Sequence, residues 1–318
     1  YGNQNTDGST SIRKFWERLR EMGASARTML EQAAAEFWQV PVEQVSAQNH
    51  RVINQLNGRS LSFGDLAELA AQQPVPDPKS LVYKSPDKFN YIGKPMPIVD
   101  LHDITTGNTE FGIDIDLPNM VIASIERCPV IHGTVKSFNA DSARKIPGVI
   151  DIIEMPATRE TVLFYPHSGI AVVATNTWAA QKAREVLNIQ WDLGKNSTHN
   201  SDDAVNAMDA ELSQSPKKVG AKGDITIGFK QAYQVVEAQY RTPYLVHAPM
   251  EPPMATAWFH DGICEVWACV QDPQSVMKHG AEMTGLSEDK FKVNCTLLGG
   301  AFGRKSKPDF ANEAIFLA

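Results

Sequence analysis

Phe291-Lys-Val-Asn-Cys-Thr-Leu-Leu-Gly-Gly-Ala-Phe-Gly-Arg-Lys305 is the stretch around which the rest of this chain can be read. Lys292–Leu297 reads as a strand, and three glycines follow within five positions: Gly299, Gly300 and Gly303. Glycine lets a backbone approach a ligand closely and turn its amides toward an anion or an oxo group. The pattern is neither a Walker loop nor GxGxxG, so a nucleoside triphosphate or a dinucleotide bound in the usual way lacks its signature. Alone, the stretch is equally well explained as a glycine-rich strand end with no ligand.

Three further stretches carry weak signals of the same kind. In Trp267-Ala-Cys-Val-Gln271-Asp-Pro-Gln274, an amide side chain ends an apolar strand over Cys264–Cys269. It can donate one hydrogen bond and accept another, although a lone Gln more often merely caps a strand. In His247-Ala-Pro-Met-Glu251-Pro-Pro-Met254, the prolines fix the backbone around one carboxylate. Such an acid could orient a substrate or a neighbouring loop; on the residues alone a solvated acid is the expectation. In Thr6-Asp-Gly-Ser-Thr-Ser11, hydroxyls and free amides stand at a helix start, where phosphate binds readily and where plain N-caps are commoner still.

The order of these stretches carries more than any one of them. A strand ending in Gln271, a helix over Ser275–Thr284, then Lys292–Leu297 and the GGAFGRK loop resemble the molybdenum-binding core of the xanthine dehydrogenase and aldehyde oxidase superfamily. The Glu251 stretch resembles the segment just upstream in those enzymes. Asp141-Ser-Ala-Arg-Lys-Ile-Pro-Gly-Val149 and the run Ala171–Ala174 resemble their a/b hammerhead domain. The opening Thr6–Ser11, with Gly23-Ala-Ser-Ala-Arg27 and Ala33–Trp38, resembles one branch, the isoquinoline 1-oxidoreductase beta subunits and membrane-associated aldehyde dehydrogenases.

The resemblance implies site residues position by position. Gln271 would contact an oxo ligand of molybdenum, and Gly300, Phe302 and Gly303 would lie against the metal side of the cofactor. Thr6, Gly8, Ser9 and Ser11 would hold the pterin and its phosphate. The implied cofactor is a molybdenum-bound molybdopterin in its cytosine dinucleotide form. The implied reaction oxidises an aldehyde or hydroxylates an N-heterocycle with oxygen from water. Electrons would leave through the iron–sulfur clusters of a small [2Fe-2S] subunit and, in some members, a cytochrome c partner, with the complex facing the periplasm. Ser306 stands where xanthine-oxidising members carry a substrate-binding Glu, which counts against purines. The general-base Glu is expected outside this chain, and Asp309 and Glu313 read as helix-surface acids. The alternative is a non-catalytic assembly or binding module that keeps the fold without the cofactor.

The remaining sequence sets an α+β expectation. Residues 1–73 read as a helical cofactor-side segment, with a capping box at Ser62–Asp65. Three prolines make 74–98 an extended connector. Short β-rich runs with a few helices make 99–192 the hammerhead domain, among them Phe111–Ile115 and the apolar run Gly169–Ala174. A polar linker spans 193–224. Residues 225–318 read as the first part of the molybdopterin-binding core, with a strand at Val235–Tyr240. The ends read as cut: residue 1 is Tyr, and Phe310–Ala318 stops inside a helical pattern. The net charge of −7 argues against nonspecific binding to nucleic acid, since phosphate binding needs concentrated cations. The four cysteines form no CxxC pair and no zinc-spaced set with His, so buried free thiols are expected, with a disulfide left open.

Overall fold

The structure, a computed structural model, describes residues 4–156, 162–215 and 217–318. Tyr1–Asn3 lie outside these. The chain divides into two compact units, Thr6–Thr109 and Glu110–Ala318, the second joined by Gln4 and Asn5.

The first unit is built on one long helix, α1 (Thr10–Trp38), where periodicity allowed one helix or two. Its C-terminal half buries Ala33, Ala34 and Ala35 against Val45, Val52 and Leu66. Residues this small let the helix sit close to what it covers. That partner is a sheet of β1 (Val45–Gln48), β2 (Arg51–Asn54) and β3 (Ser60–Ser62), followed by α2 (Phe63–Ala71). This antiparallel sheet was not expected, because strands of three or four residues are too short to show a period of two. The capping box of α2 is present: Asp65 N–H donates to Ser62 Oγ and Ser62 N–H donates to the Asp65 carboxylate, both at 3.0 Å. Ser62→Ala should therefore cost about 1 kcal/mol, seen as a lower urea midpoint with an unchanged slope. The connector holds two single turns, Pro78–Ser80 and Pro86–Lys88, before the short α3 (Leu101–Thr106).

The second unit contains β4 (Ile122–Arg127), β5 (Thr134–Asn139), β6 (Val149–Met155), β7 (Gly169–Ala174), α4 (Thr177–Glu185) and β8 (Asn188–Asp192). Strands β4, β7 and β6 form an antiparallel sheet with β7 central, and β5 pairs with β8. Every residue of β7 is buried, which is why its sequence is unbroken apolar rather than alternating. Helix α4 packs Ala179, Ala180 and Ala183 inward. Helices α5 (Ser201–Leu212) and α6 (Ile225–Gln231) come next in the chain.

Two expected strands are absent among the described residues. Val235–Tyr240 forms none: a strand needs a hydrogen-bonded neighbour, and here Val236 and Tyr240 lie 79% and 89% exposed. Phe111–Ile115 forms a single helical turn, with one parallel bridge from Phe111 to Leu297.

The element that positions the site is the last sheet. Strands β9 (Ala255–His260) and β10 (Ile263–Ala268) pair antiparallel; α7 (Pro273–Thr284) then carries the chain to β11 (Phe291–Cys295), parallel to β10. Helix α8 (Asp309–Leu317) adds Phe310 and Ile315 to a core of Cys264, Val266, Ala268 and Phe291. Because β10 and β11 run parallel, the chain leaves both strands at the same edge of the sheet. All four cysteines are free. Cys264 and Cys269 are buried and Cys128 is half-buried. Against expectation, Cys295 is exposed: it ends β11, the edge strand of its sheet. No helix among the described residues is long and apolar enough to cross a membrane.

Candidate functional site

Gln271 lies three residues beyond β10, and the Gly299–Gly303 loop comes after β11. The parallel pairing brings them together: Gln271 N–H donates to the Lys305 carbonyl at 2.9 Å. The loop is left-handed at three positions, Gly300 (φ +92°), Phe302 (φ +51°) and Gly303 (φ +91°). That conformation is uncommon outside glycine. The Phe302 ring stands 73% exposed, and a Cβ on Gly303 would meet nothing within 4 Å. Space is thus open beside Gly303, whereas at Gly300 an added Cβ would meet the Phe302 ring and Pro249 at 3.4 Å.

Glu251 holds this loop in place. Its backbone N–H donates to the Gly299 carbonyl at 3.0 Å, and its Oε2 accepts from Gly299 N–H at 2.9 Å. The same oxygen accepts from Lys305 Nζ at 2.7 Å, while Oε1 accepts from Ile113 N–H at 3.3 Å. Lys305 is fully buried and Glu251 is 6% exposed. Glycine is required at 299, where a Cβ would fall 2.6 Å from the Cβ of Glu251. Burial raises the Glu251 carboxyl, but the Lys305 ammonium and the Gly299 amide outweigh it and hold its pKa below the ordinary range. The expectation of a solvated acid is thus corrected, and the other possibility weighed for Glu251, orienting a neighbouring loop, is what the geometry shows. The signal for it was the proline-locked backbone; its partner Lys305 carried no signal beyond its place in the loop.

Asp309 and Glu313 are likewise not surface acids. Each is 2% exposed, because α8 packs both inward. Arg304 reaches both oxygens of Asp309 at 2.8 and 2.7 Å, and Arg127 reaches both oxygens of Glu313. Ser306 Oγ donates to the Gly303 carbonyl at 2.8 Å and closes the loop.

Thr6, Gly8, Ser9 and Ser11 belong to the first unit, where they lead into α1. Gly8 and Ser9 are both left-handed, at φ +57° and +51°. Ser9 occupies the N-cap position, but its side chain accepts no amide, so the expected plain capping is not what the structure contains. The Thr10 hydroxyl donates to the Asp7 carbonyl at 2.8 Å.

Residues 206–318, which contain the whole Gln271–Lys305 arrangement, match the family model of the molybdopterin cofactor-binding domain. The chain is 27% identical, over its full length and 44% of the relative's, to the isoquinoline 1-oxidoreductase subunit beta of Brevundimonas diminuta. It is 25% identical, over 96% of its length and 40% of the relative's, to the membrane-bound aldehyde dehydrogenase [pyrroloquinoline-quinone] of Gluconacetobacter polyoxogenes. Over residues 206–318 the chain carries a molybdopterin cofactor-binding domain, and along its length it is similar to large subunits of the xanthine dehydrogenase and aldehyde oxidase family. It spans less than half the length of the two relatives named. The aldehyde oxidoreductase of Desulfovibrio gigas superimposes with a TM-score of 0.51 over 80% of this chain and 32% of that one. At 19% identity this shows the shared α+β fold alone.

The residues of this domain fit the cofactor it is named for. The left-handed loop carries glycine at positions 300 and 303, which have no side chain of their own over the backbone, and the Gln271 N–H is bonded to the Lys305 carbonyl.

On the far side of the same sheet, Glu265 accepts hydrogen bonds from Lys292, Asn294 and His260. Chiefly the first two draw its pKa from 4.5 to about 2. A carboxyl depressed in the folded state stabilises the fold above its unfolded pKa, and loses that contribution as pH falls through the folded one. Thermal midpoints should therefore fall between pH 4.5 and about 2. Glu265→Gln should flatten part of that fall; an unchanged profile would show that Glu265 does not contribute.

Proposed function

We propose that the complete protein is a molybdopterin-dependent oxidoreductase that oxidises an aldehyde or hydroxylates an N-heterocycle with oxygen from water. Electrons pass to iron–sulfur clusters on a small [2Fe-2S] partner subunit, with a cytochrome c as a further acceptor. The observation that carries this reading is the left-handed Gly300–Gly303 loop, held against the Gln271 strand end at the open edge of a parallel strand pair. When bound, the cofactor, in this reading the cytosine dinucleotide form, supplies the two-electron redox centre.

The chain's own residues do the holding. Amides of the Gly300–Gly303 loop would hold the cofactor, the Phe302 ring would shield it from water, and the Gln271 carboxamide would orient a polar ligand. Thr6, Gly8, Ser9 and Ser11 supply hydroxyls and amides to the pterin phosphate. Glu251, Asp309 and Glu313 are not proton carriers in this reading, since each carboxylate is already engaged by a buried or half-buried cation. The periplasmic location rests on the branch resemblance, and cell fractionation tests it.

The experiment is expression of the full-length gene with its small subunit, followed by elemental analysis and cofactor extraction. Near-stoichiometric molybdenum with a cytosine-containing pterin is expected. Gln271→Ala should then keep the metal and lose about 10²-fold in kcat, the size of effect seen when one positioned donor is removed. Absence of molybdenum, in a host that loads a related enzyme, would leave the non-catalytic binding module as the better reading.

A further inference from the structure

Within Thr6–Thr109 lies a cavity of about 330 Å³, in the range of ligand pockets, that plays no part in the proposed oxidoreductase chemistry. We propose that it binds a flat aromatic anion, an arene carrying one carboxylate.

Its floor is the surface of α1 at Gly23 and Ala24. A Cβ on Gly23 would meet nothing within 4 Å, so the absence of a side chain there is what hollows the helix face. The walls are aromatic: Phe63 at the start of α2, with Tyr83 and Phe89 from the connector. Such walls suit a flat apolar body.

The rim sets the charge. Arg20, Arg27 and Lys84 line the cavity, and no acidic side chain does so among the described residues. No carboxylate among the described residues pairs with any of the three cations, in a chain whose net charge is −7. Each guanidinium is pre-placed by a backbone carbonyl: Arg20 donates to Lys84 O at 2.9 Å, and Arg27 donates to Val82 O. Arg20 also lies 5.2 Å from the Trp16 and Tyr83 ring centroids and 5.6 Å from that of Phe89. A guanidinium has five N–H donors, so both arginines keep several for a ligand. Oriented unmatched arginines beside aromatic faces recognise a planar carboxylate; an ammonium ligand would be repelled, and a neutral arene would use the walls alone.

Calorimetric titration of the full chain with naphthoate, naphthalenemethanol and naphthylmethylamine tests this. Naphthoate should bind at one saturable site, with the alcohol and the amine about ten-fold or more weaker, a difference of about 1.4 kcal/mol. Gly23→Leu should fill the floor and weaken naphthoate about ten-fold or more. It should not lower the thermal midpoint, because Leu is the better helix former. Arg27→Gln should weaken naphthoate and leave the alcohol unchanged. No naphthoate binding, equal binding of the alcohol, or undiminished binding by Gly23→Leu would overturn the assignment. None of these outcomes depends on molybdenum, so the proposed activity stands or falls separately.

Discussion

Lys305→Met is expected to lower the unfolding free energy by about 3–5 kcal/mol, the cost of leaving one partner of a buried ion pair without the other. Lys305 is fully buried and its ammonium lies 2.7 Å from Glu251 Oε2. Removing it leaves a 6%-exposed carboxylate facing two backbone amides, which cannot replace a full charge. The carboxyl would then be free to rise under the desolvation that Lys305 now offsets. Stability of the single variant should therefore improve as pH is lowered from neutral and Glu251 becomes protonated. Glu251→Gln combined with Lys305→Met removes both charges and should recover much of the loss. Chemical denaturation of the two singles and the double decides it. An additive double would mean that the pair is not coupled.

Arg127→Met should cost about 3 kcal/mol, the lower end of the same range. Glu313 is the buried partner, with its side chain 3% exposed, whereas Arg127 is 42% exposed and water can partly replace it. The pair joins the end of β4 to α8, so its loss loosens α8 from the β4–β7–β6 sheet. Glu313→Gln should relieve most of the penalty in the Arg127→Met background, because a neutral amide no longer needs a cation. Urea midpoints would show this, and a double variant as unstable as Arg127→Met alone would refute it.

Legibility in the sequence tracked the length and regularity of each element. The β7 run and the Ser62–Asp65 capping box could be read directly, because a fully buried strand has an unbroken apolar pattern and a capping box is local chemistry. The β1–β2–β3 sheet could not, since three- and four-residue strands carry no detectable period. Val235–Tyr240 has a strand-like composition, but pairing is a property of neighbours that composition does not contain.

The site divides in the same way. In the amino-acid sequence, glycine spacing and a strand-end amide were weak local signals, and it was the resemblance carried by their order that nominated Gln271, Gly300, Phe302 and Gly303 as ligand-facing. What holds the Glu251 loop and the α8 acids became visible in the folded chain alone. Glu251 and Lys305 are 54 residues apart, and Arg127 and Glu313 are 186 apart. Nothing local marks any of these acids as buried rather than solvated. Burial and charge pairing depend on which elements the fold packs together, and those contacts exist only once the parallel strands and α8 are in place.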